Sequence, residues 1–498
     1  MGRPLKTNKP QENRWPEIVF SSGKNRLSQA IRRAVLSKKL LKIAPRIYTS
    51  NFKDDPVLII QRNRYQLLGL LFPNAVMSHR SALEGGISPQ GHVVLTYKYS
   101  KTVTLPGLTI RLIKGPGPDE EDTPFLENLF ISSRGRAYLE NLQPTRVRIS
   151  SAKNLSQEEI EKRLDQLIRI YGTDELNLLR DQARRVAKRI EMKEEFAHLE
   201  KLIGALLGTR SEVKLKSELA FSRSKGEPYD SKRVDLFATL AAFLQQHELS
   251  LLPSNLTSNK AIINCAFFES YFSNYIEGTE FAIEEAEQIV FENKIIANRS
   301  KDSHDILSYF QMVSNRQEME TVPKSDSDLI QILLKRHAFL MAPREDKLPG
   351  TFKNVINRAG NTVFVNPDEV QGTLSKGFKL YQQLRPGIAR ALFVMFLVAE
   401  VHPFLDGNGR IARIMMNAEL HAADQCRIII PTAYREDYLL ALRKLSRQQD
   451  PQPYVRMILR AQQFTSHISF DDYNVALTQL QASNAFLEPN EGKLIFPE

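Results

Sequence analysis

The spacing of apolar positions changes several times along the chain. Over 29–36, Gln-Ala-Ile-Arg-Arg-Ala-Val-Leu interleaves apolar and basic residues in helical order, which predicts a helix capped by Ser28. A second apolar set follows at Leu40, Leu41 and Ile43, and Pro45-Arg46-Ile47-Tyr48-Thr49 reads as a short strand. From about 50 to 150 the pattern is one of short strands and turns, with strands expected over 93–97, 102–105 and 108–112. The run Lys114-Gly115-Pro116-Gly117-Pro118 breaks any regular element there. Helical spacing returns over 156–207, where Val186, Ile190, Phe196, Leu199, Leu202, Ile203 and Leu206 recur between Arg185, Lys188 and Arg189, and it ends near Gly208. The most apolar run, 391–399, is far shorter than the roughly 20 residues that span a bilayer, so it predicts a helix inside a globular core.

Composition narrows the class. A chain of 498 residues with 42% hydrophobic and 25% charged residues is long enough for two to four domains and is not disordered. Its 23 glycines and 25 prolines exclude collagen-like and mucin-like chains. Cys265 and Cys426 are too few for a disulfide framework or a multi-cysteine zinc site, which suits a reducing cytoplasm. The first fifteen residues, MGRPLKTNKPQENRW, lack the apolar stretch of a secretory signal, and a soluble cytoplasmic protein without membrane attachment is expected.

Charge is concentrated at one end. In residues 1–50 twelve Lys or Arg stand against Glu12 and Glu17, so almost the whole net charge of +11 lies there. Such asymmetry is the footprint of a polyanion-binding surface. Helices followed by a basic strand suggest a small winged helix-turn-helix over 1–50, with Arg32, Arg33, Lys38 and Lys39 on DNA phosphates. A solvated basic arm without a specific partner is the alternative. The run GKNRLSQAIRRAVLSKKLLKIAPRIYTSNFKDDP, followed by AVMSHRSALEGG, resembles the N-terminal region of AbiEi-type antitoxins. The resemblance implies a bacterial regulator in which a winged helix precedes a small α/β domain, here over 51–150.

The segment 401–413, V-H-P-F-L-D-G-N-G-R-I-A-R, gathers several chemical tools. His402 is a base that titrates near neutrality. Asp406 is a hard oxygen ligand suited to Mg²⁺. Gly407, Asn408 and Gly409 allow the backbone to curl so that its N–H groups converge on an anion, and the helix beginning there adds its positive end. Arg410, Arg413 and Asn417 share one helical face, while Ile411, Ile414, Met415 and Ala418 form an apolar face beside it. Pro403 fixes the turn and Phe404 is a core anchor. Each residue alone would be ordinary, but no packing requirement explains the combination. Together they suit a polyphosphate attacked by a deprotonated hydroxyl.

HPFLDGNGRIAR also resembles the signature of the Fic family, H-x-F-x-(D/E)-G-N-G-R-x-x-R, with every specified position filled. The resemblance implies an α-helical bundle over about 210–465 with a β-hairpin flap. It also implies transfer of AMP from ATP to a Ser, Thr or Tyr hydroxyl of a protein, this chain itself included. On that pattern His402 is the general base and Asp406 the Mg²⁺ ligand. Gly407, Asn408 and Gly409 hold the α-phosphate, and Arg410 and Arg413 hold the polyphosphate.

The run 361–365, bounded by Gly360 and Pro367, matches the flap, in which Thr362, Val363 and Phe364 would pair with a target strand. Pro349-Gly350-Thr351-Phe352-Lys353 resembles the family's Pro-Gly-x-(aromatic)-Arg, with lysine in place of arginine, and 431–438 resembles its closing helix.

Upstream, Ser273 and Glu277 are four residues apart, with Gly278 able to end the turn. They resemble the family's inhibitory motif, near 268–280, in which the glutamate pairs with the second signature arginine, here Arg413, and displaces the γ-phosphate.

The resulting layout is multidomain: winged helix 1–50, α/β domain 51–150, helical connector 151–209, Fic bundle 210–465, and C-terminal helix and tail 466–498. An autoinhibited adenylyltransferase with an N-terminal DNA-binding module is the leading expectation. Alternatives are transfer of another nucleotide or of phosphate, removal of AMP with Glu277 orienting water, and a nucleotide-sensing or self-modifying regulator of toxin–antitoxin type. Dimerisation stays open.

Overall fold

The computed structural model describes residues 15–21, 25–144, 153–210 and 213–496, and the leader reading above falls on 1–14, outside them. The chain divides into two compact units, Met1–Ser224 and Lys225–Glu498. Among the described residues no helix is long and apolar enough to cross a membrane.

In the first unit, strands β1 (Ile18–Phe20), β2 (Leu41–Ala44) and β3 (Ile47–Thr49) form an antiparallel sheet in the order β1-β3-β2, beside the helix Asn25–Leu36. The second apolar set is therefore a strand, not a helix. Lys38 adopts a left-handed φ of 52°, while the amides of Lys38 and Lys39 donate to the Val35 and Ala34 carbonyls, which closes the helix. Beyond that turn Leu41 to Ala44 pairs with β3 through a register shift between Lys42 and Ala44. The helix also begins ahead of Ser28, whose hydroxyl lies 3.4 Å from that of Ser21.

Strands β4 (Val76–Met77), β5 (His92–Tyr97), β6 (Lys101–Leu105), β7 (Leu108–Lys114), β8 (Thr123–Pro124) and β9 (Phe130–Ile131) make a mixed sheet ordered β6-β7-β5-β4-β9-β8. β7 runs parallel to β5, and β9 parallel to β4. Ile59, Ile60, Leu67, Leu68, Val93, Leu95, Ile110 and Leu112 form its core. The stretch with helical spacing is three helices, Gln157–Tyr171, Asp174–Arg189 and Lys193–Leu206, and Gly172 (φ 86°) and Gly208 (φ 71°) supply left-handed backbone after the first and third.

The second unit is mainly helical. Its central helix, Ile388–Val401, buries every residue except Arg390 and Ala399, as its unbroken apolar run requires. It packs against Ser231–Gln246, Val370–Tyr381 and Asn408–Ala422. Phe237 meets Phe393 and Phe396 edge-on at 6.3 and 6.0 Å. A second apolar cluster gathers Phe267, Phe268 and Phe272 of the helix Asn259–Ile276 with Ile306, Phe464 and Leu480. The hairpin β10 (Arg358–Ala359) and β11 (Thr362–Val363) turns through Gly360, whose φ is 57°. Only two residues of 361–365 are therefore strand, and Val365 turns into the core.

Candidate active site

The central helix ends on His402, which sits in the left-handed region at φ 52°, ψ 61°. Such backbone costs a non-glycine residue about 1–2 kcal/mol, so the surroundings must hold it. The imidazole Nδ1 is 3.3 Å from the Ala399 carbonyl and donates to it, leaving Nε2 as the basic nitrogen. The ring stacks on Phe364 of the flap at 3.8 Å and 8°. Burial lowers its pKa to about 4, and the Lys353 cation lowers it too, against the Ala399 carbonyl and Glu277. His402 is therefore neutral at physiological pH.

The loop that follows is closed by Asn408. Its Oδ1 accepts the Phe404 amide at 2.8 Å and its Nδ2 donates to the Phe404 carbonyl at 2.9 Å. Asn408 thus shapes the loop with its side chain, and only its backbone N–H remains for an anion. Gly407 takes φ 75° and begins the helix Asn408–Ala422. In such a helix the amides of the first turn have no partner within it. The Gly407 amide donates to Asp406 Oδ1 at 2.7 Å, which orients a half-buried carboxylate. Among the described residues no three His, Cys, Asp or Glu side chains cluster as a metal cage. A single oriented carboxylate suits Mg²⁺, which is commonly held by one or two carboxylates together with substrate phosphates and water.

Behind this loop lies a histidine that sequence reasoning missed. His337 Nδ1 accepts the Gly350 amide at 3.0 Å, so its Nε2 carries the proton and donates to the Asp406 carbonyl at 3.1 Å. Its ring stacks on Phe404 at 3.7 Å. The only hint in the sequence is a lone histidine within an apolar helix.

The two signature arginines diverge. Arg413 Nη2 is 2.7 Å from Glu277 Oε1 and 2.9 Å from the Ser273 carbonyl, while Nε donates to Ser273 Oγ at 2.8 Å. The helix Asn259–Ile276 reaches this point because Gly278, at φ 86°, and Thr279 return their amides to Tyr275 and Asn274, a Schellman close that leaves Glu277 at the end. Ser273 and Glu277 thus share the face their spacing predicted. Arg410 is instead paired with buried Asp305 at 2.9 Å and lies 3.5 Å from Asn274 Oδ1. Asn417 points elsewhere too, exchanging hydrogen bonds with the Ile428 backbone at 2.8 and 2.9 Å.

A cavity of about 500 Å³ brings some of these parts together. It is lined by Glu277, Phe364, His402, Gly409, Arg413 and Tyr438, with Thr362 and Arg447 at the flap; Asp406, Gly407, Asn408 and Arg410 are not on its wall. A larger opening of about 760 Å³, beside Tyr434 and Arg460, contains none of the signature residues. In the flap, Arg447 donates to Thr362 Oγ1 at 3.1 Å and Arg233 to the Val363 carbonyl at 2.8 Å. In the first unit Arg32, Arg33, Lys38 and Lys39 are all exposed around one end of the helix Asn25–Leu36.

Comparison with known proteins agrees with the second unit. The Fic/DOC family model matches residues 328–420, which include His402 to Arg413. A protein adenylyltransferase Fic of Drosophila erecta is 26% identical over 238 residues, covering 47% of this chain and 45% of the relative. One from Nematostella vectensis is 24% identical over 226 residues, covering 44% and 53%. The chain thus spans about half the length of the curated relatives it matches. Among solved structures, a Fic-domain-containing signaling protein of Bacteroides thetaiotaomicron matches with TM-score 0.38 and 20% identity, over 49% of this chain and 97% of its own. Fic-1 from C. elegans, residues 134–508, matches with TM-score 0.35 and 16% identity, over 64% and 88%. With the signature loop, its helix and the matched residues in one unit, the chain carries a Fic/DOC family domain.

Proposed function

We propose that the second unit is a protein adenylyltransferase held in check by Glu277. The observation that carries this reading is the Glu277 carboxylate, which bonds Arg413 at 2.7 Å and stands over Gly409 in the cavity that also holds His402. A methyl group added to Gly409 would meet Glu277 Oε1 at 2.2 Å. The carboxylate therefore fills space in front of the helix N-terminus, where a phosphate would bind.

With that space vacated, Arg413 and the first-turn amides provide charge-assisted donors for the polyphosphate of ATP. Asp406 would hold Mg²⁺, which neutralises phosphate charge when bound. His402 Nε2 takes the proton of a Ser, Thr or Tyr hydroxyl positioned along the flap. The hydroxyl oxygen bonds to the α-phosphorus, the bond to the bridging oxygen breaks, and pyrophosphate leaves. The protein thereby contributes position and charge rather than a covalent intermediate.

Intact mass after incubation with ATP and Mg²⁺ tests the reading on the chain and on added target protein. An AMP-sized gain in Glu277→Gly, weak in wild type and absent in Glu277→Gly/His402→Ala, is expected. A gain of bare phosphate would instead assign phosphate transfer.

A second reading rests on the four exposed cations of the first unit. It makes the chain a DNA-binding regulator whose Fic domain senses nucleotide or modifies the chain itself. Binding to duplex DNA that weakens steeply with salt, with a shallower slope in Arg32→Ala/Arg33→Ala, would support it.

A further inference from the structure

The strained conformation of His402 is held by two side chains from outside the signature. The Lys353 amide donates to the Pro403 carbonyl at 2.9 Å. Its ammonium, 3% exposed as a residue, donates to Asn357 Oδ1 at 2.8 Å and reaches the Val401 carbonyl at 3.4 Å. Asn357 Nδ2 donates to the Phe404 carbonyl at 2.9 Å, and its own carbonyl accepts the Phe364 amide at 3.2 Å. The carbonyls of Val401, Pro403 and Phe404 are thus fixed on both sides of His402. Asn357 thereby anchors Phe364, whose ring covers the imidazole, and the Lys353 ammonium lies 5.9 Å from the centre of that ring.

We infer that Lys353 and Asn357 are positioning residues that lock the base and couple it to the flap, so that flap and base take up their working geometry together. This rests on the reading of His402 as the base. A lysine buried among carbonyls is costly unless its donors are used, and here they are directed to the two chain segments that must be aligned. Left-handed backbone at a non-glycine residue persists where the neighbourhood over-determines it. The bracket supplies that restraint beyond the other contacts of His402, which are its amide on the Val398 carbonyl, its ring on the Ala399 carbonyl and the stacked Phe364 ring.

Histidine ring NMR of the apo chain, without ATP, tests the inference independently of any transfer activity. The wild-type His402 signals should report one tautomer with the proton on Nδ1. In Lys353→Met and in Asn357→Ala that pattern should be lost to mixed tautomers, while Lys353→Arg should restore it. Thermal melts identify which variants remain folded, and Asn357→Ala serves if Lys353→Met does not. An unchanged single tautomer in a folded Lys353→Met or Asn357→Ala protein would overturn the inference. In the Glu277→Gly background the same changes should lower kcat by up to about 100-fold, the scale of an ångström-level misplacement, with the KM for ATP little altered. Failure of AMP transfer in every protein would count against the adenylyltransferase reading, yet leave the NMR result to decide this one.

Discussion

Glu277 and Gly409 are matched in size: the carboxylate oxygen of one sits where any side chain on the other would have to go. Glycine at 409 therefore serves two occupants in turn, the blocking carboxylate and the proposed phosphate. This predicts an asymmetric pair of mutants. Glu277→Gly should bind ATP at least about 10-fold more tightly, since it removes a competitor worth about 1.4 kcal/mol or more for Arg413. Gly409→Ala should also displace Glu277, yet gain no activity, because its methyl group occupies the phosphate position. Calorimetric titration with ATP compares the two, and tight ATP binding by Gly409→Ala would refute the shared-space argument.

Arg410 and Asp305 form a buried pair, and Arg344 reaches the same Asp305 Oδ2 at 2.8 Å. Removing one member of such a pair typically costs about 3–5 kcal/mol, and the remaining arginine should hold the loss near the lower end. Arg410→Met should therefore lower stability by about 3 kcal/mol in urea melts while the folded fraction keeps its ATP affinity. A 10-fold loss of affinity with unchanged stability would instead assign Arg410 to the polyphosphate, as the family resemblance implies.

The parts of this site legible in the sequence are local. His402 to Arg413 lies on one loop and one helix, and Ser273 and Glu277 lie one helical turn apart, so spacing alone places them on shared faces. The parts that escaped notice come from distant segments. His337, Asn357 and Asp305 act through backbone carbonyls or buried pairing, and neither leaves a periodic mark; Lys353 stood out only through its motif, with nothing local to show that it reaches the His402 loop. The strand Leu41–Ala44 escaped because four residues carry too little pattern to separate strand from helix; the left-handed turn at Lys38 decides it. The order of the six-stranded sheet depends on long-range pairing and has no local signal at all.

His79, buried in the first unit at φ 51°, has its ring hydrogen bonds supplied by Ser78 and Gln143, while its amide donates to Glu140. Burial holds its pKa at about 4, with Glu140 opposing and Lys153 reinforcing. The unfolded chain binds a proton near 6.5, so between about 6.5 and 4 the unfolded state holds more protons. Stability of this unit should accordingly be full above pH 6.5 and decline on acidification by up to about 3 kcal/mol. His79→Asn, which tolerates left-handed backbone, should flatten that dependence in urea melts at pH 5 against pH 7.5; an identical slope would show that the loss arises elsewhere.

His402 gives the corresponding prediction for activity. A base must be unprotonated, so activity is retained above its pKa and lost below it. Burial depresses that value to about 4, and Glu277 acts to raise it, so Glu277→Gly should lower it further. In that background the acid limb of kcat/KM should fall well below pH 6, not at the 6.5 of an exposed histidine. Lys353, depressed to about 7 mainly by burial and also by Arg233, titrates in the range between. Its charge lowers the pKa of His402, so its loss above pH 7 raises that value from about 4, still far below the ambient pH: the base stays unprotonated while the bracket around it loosens. The pH–rate profile of Glu277→Gly should thus show a low acid limb and a decline above about 7. Lys353→Arg, charged throughout, should remove the decline and keep the acid limb. A profile with an acid limb at 6.5 in both proteins would mean that the imidazole is open to water and that the flap does not cover it.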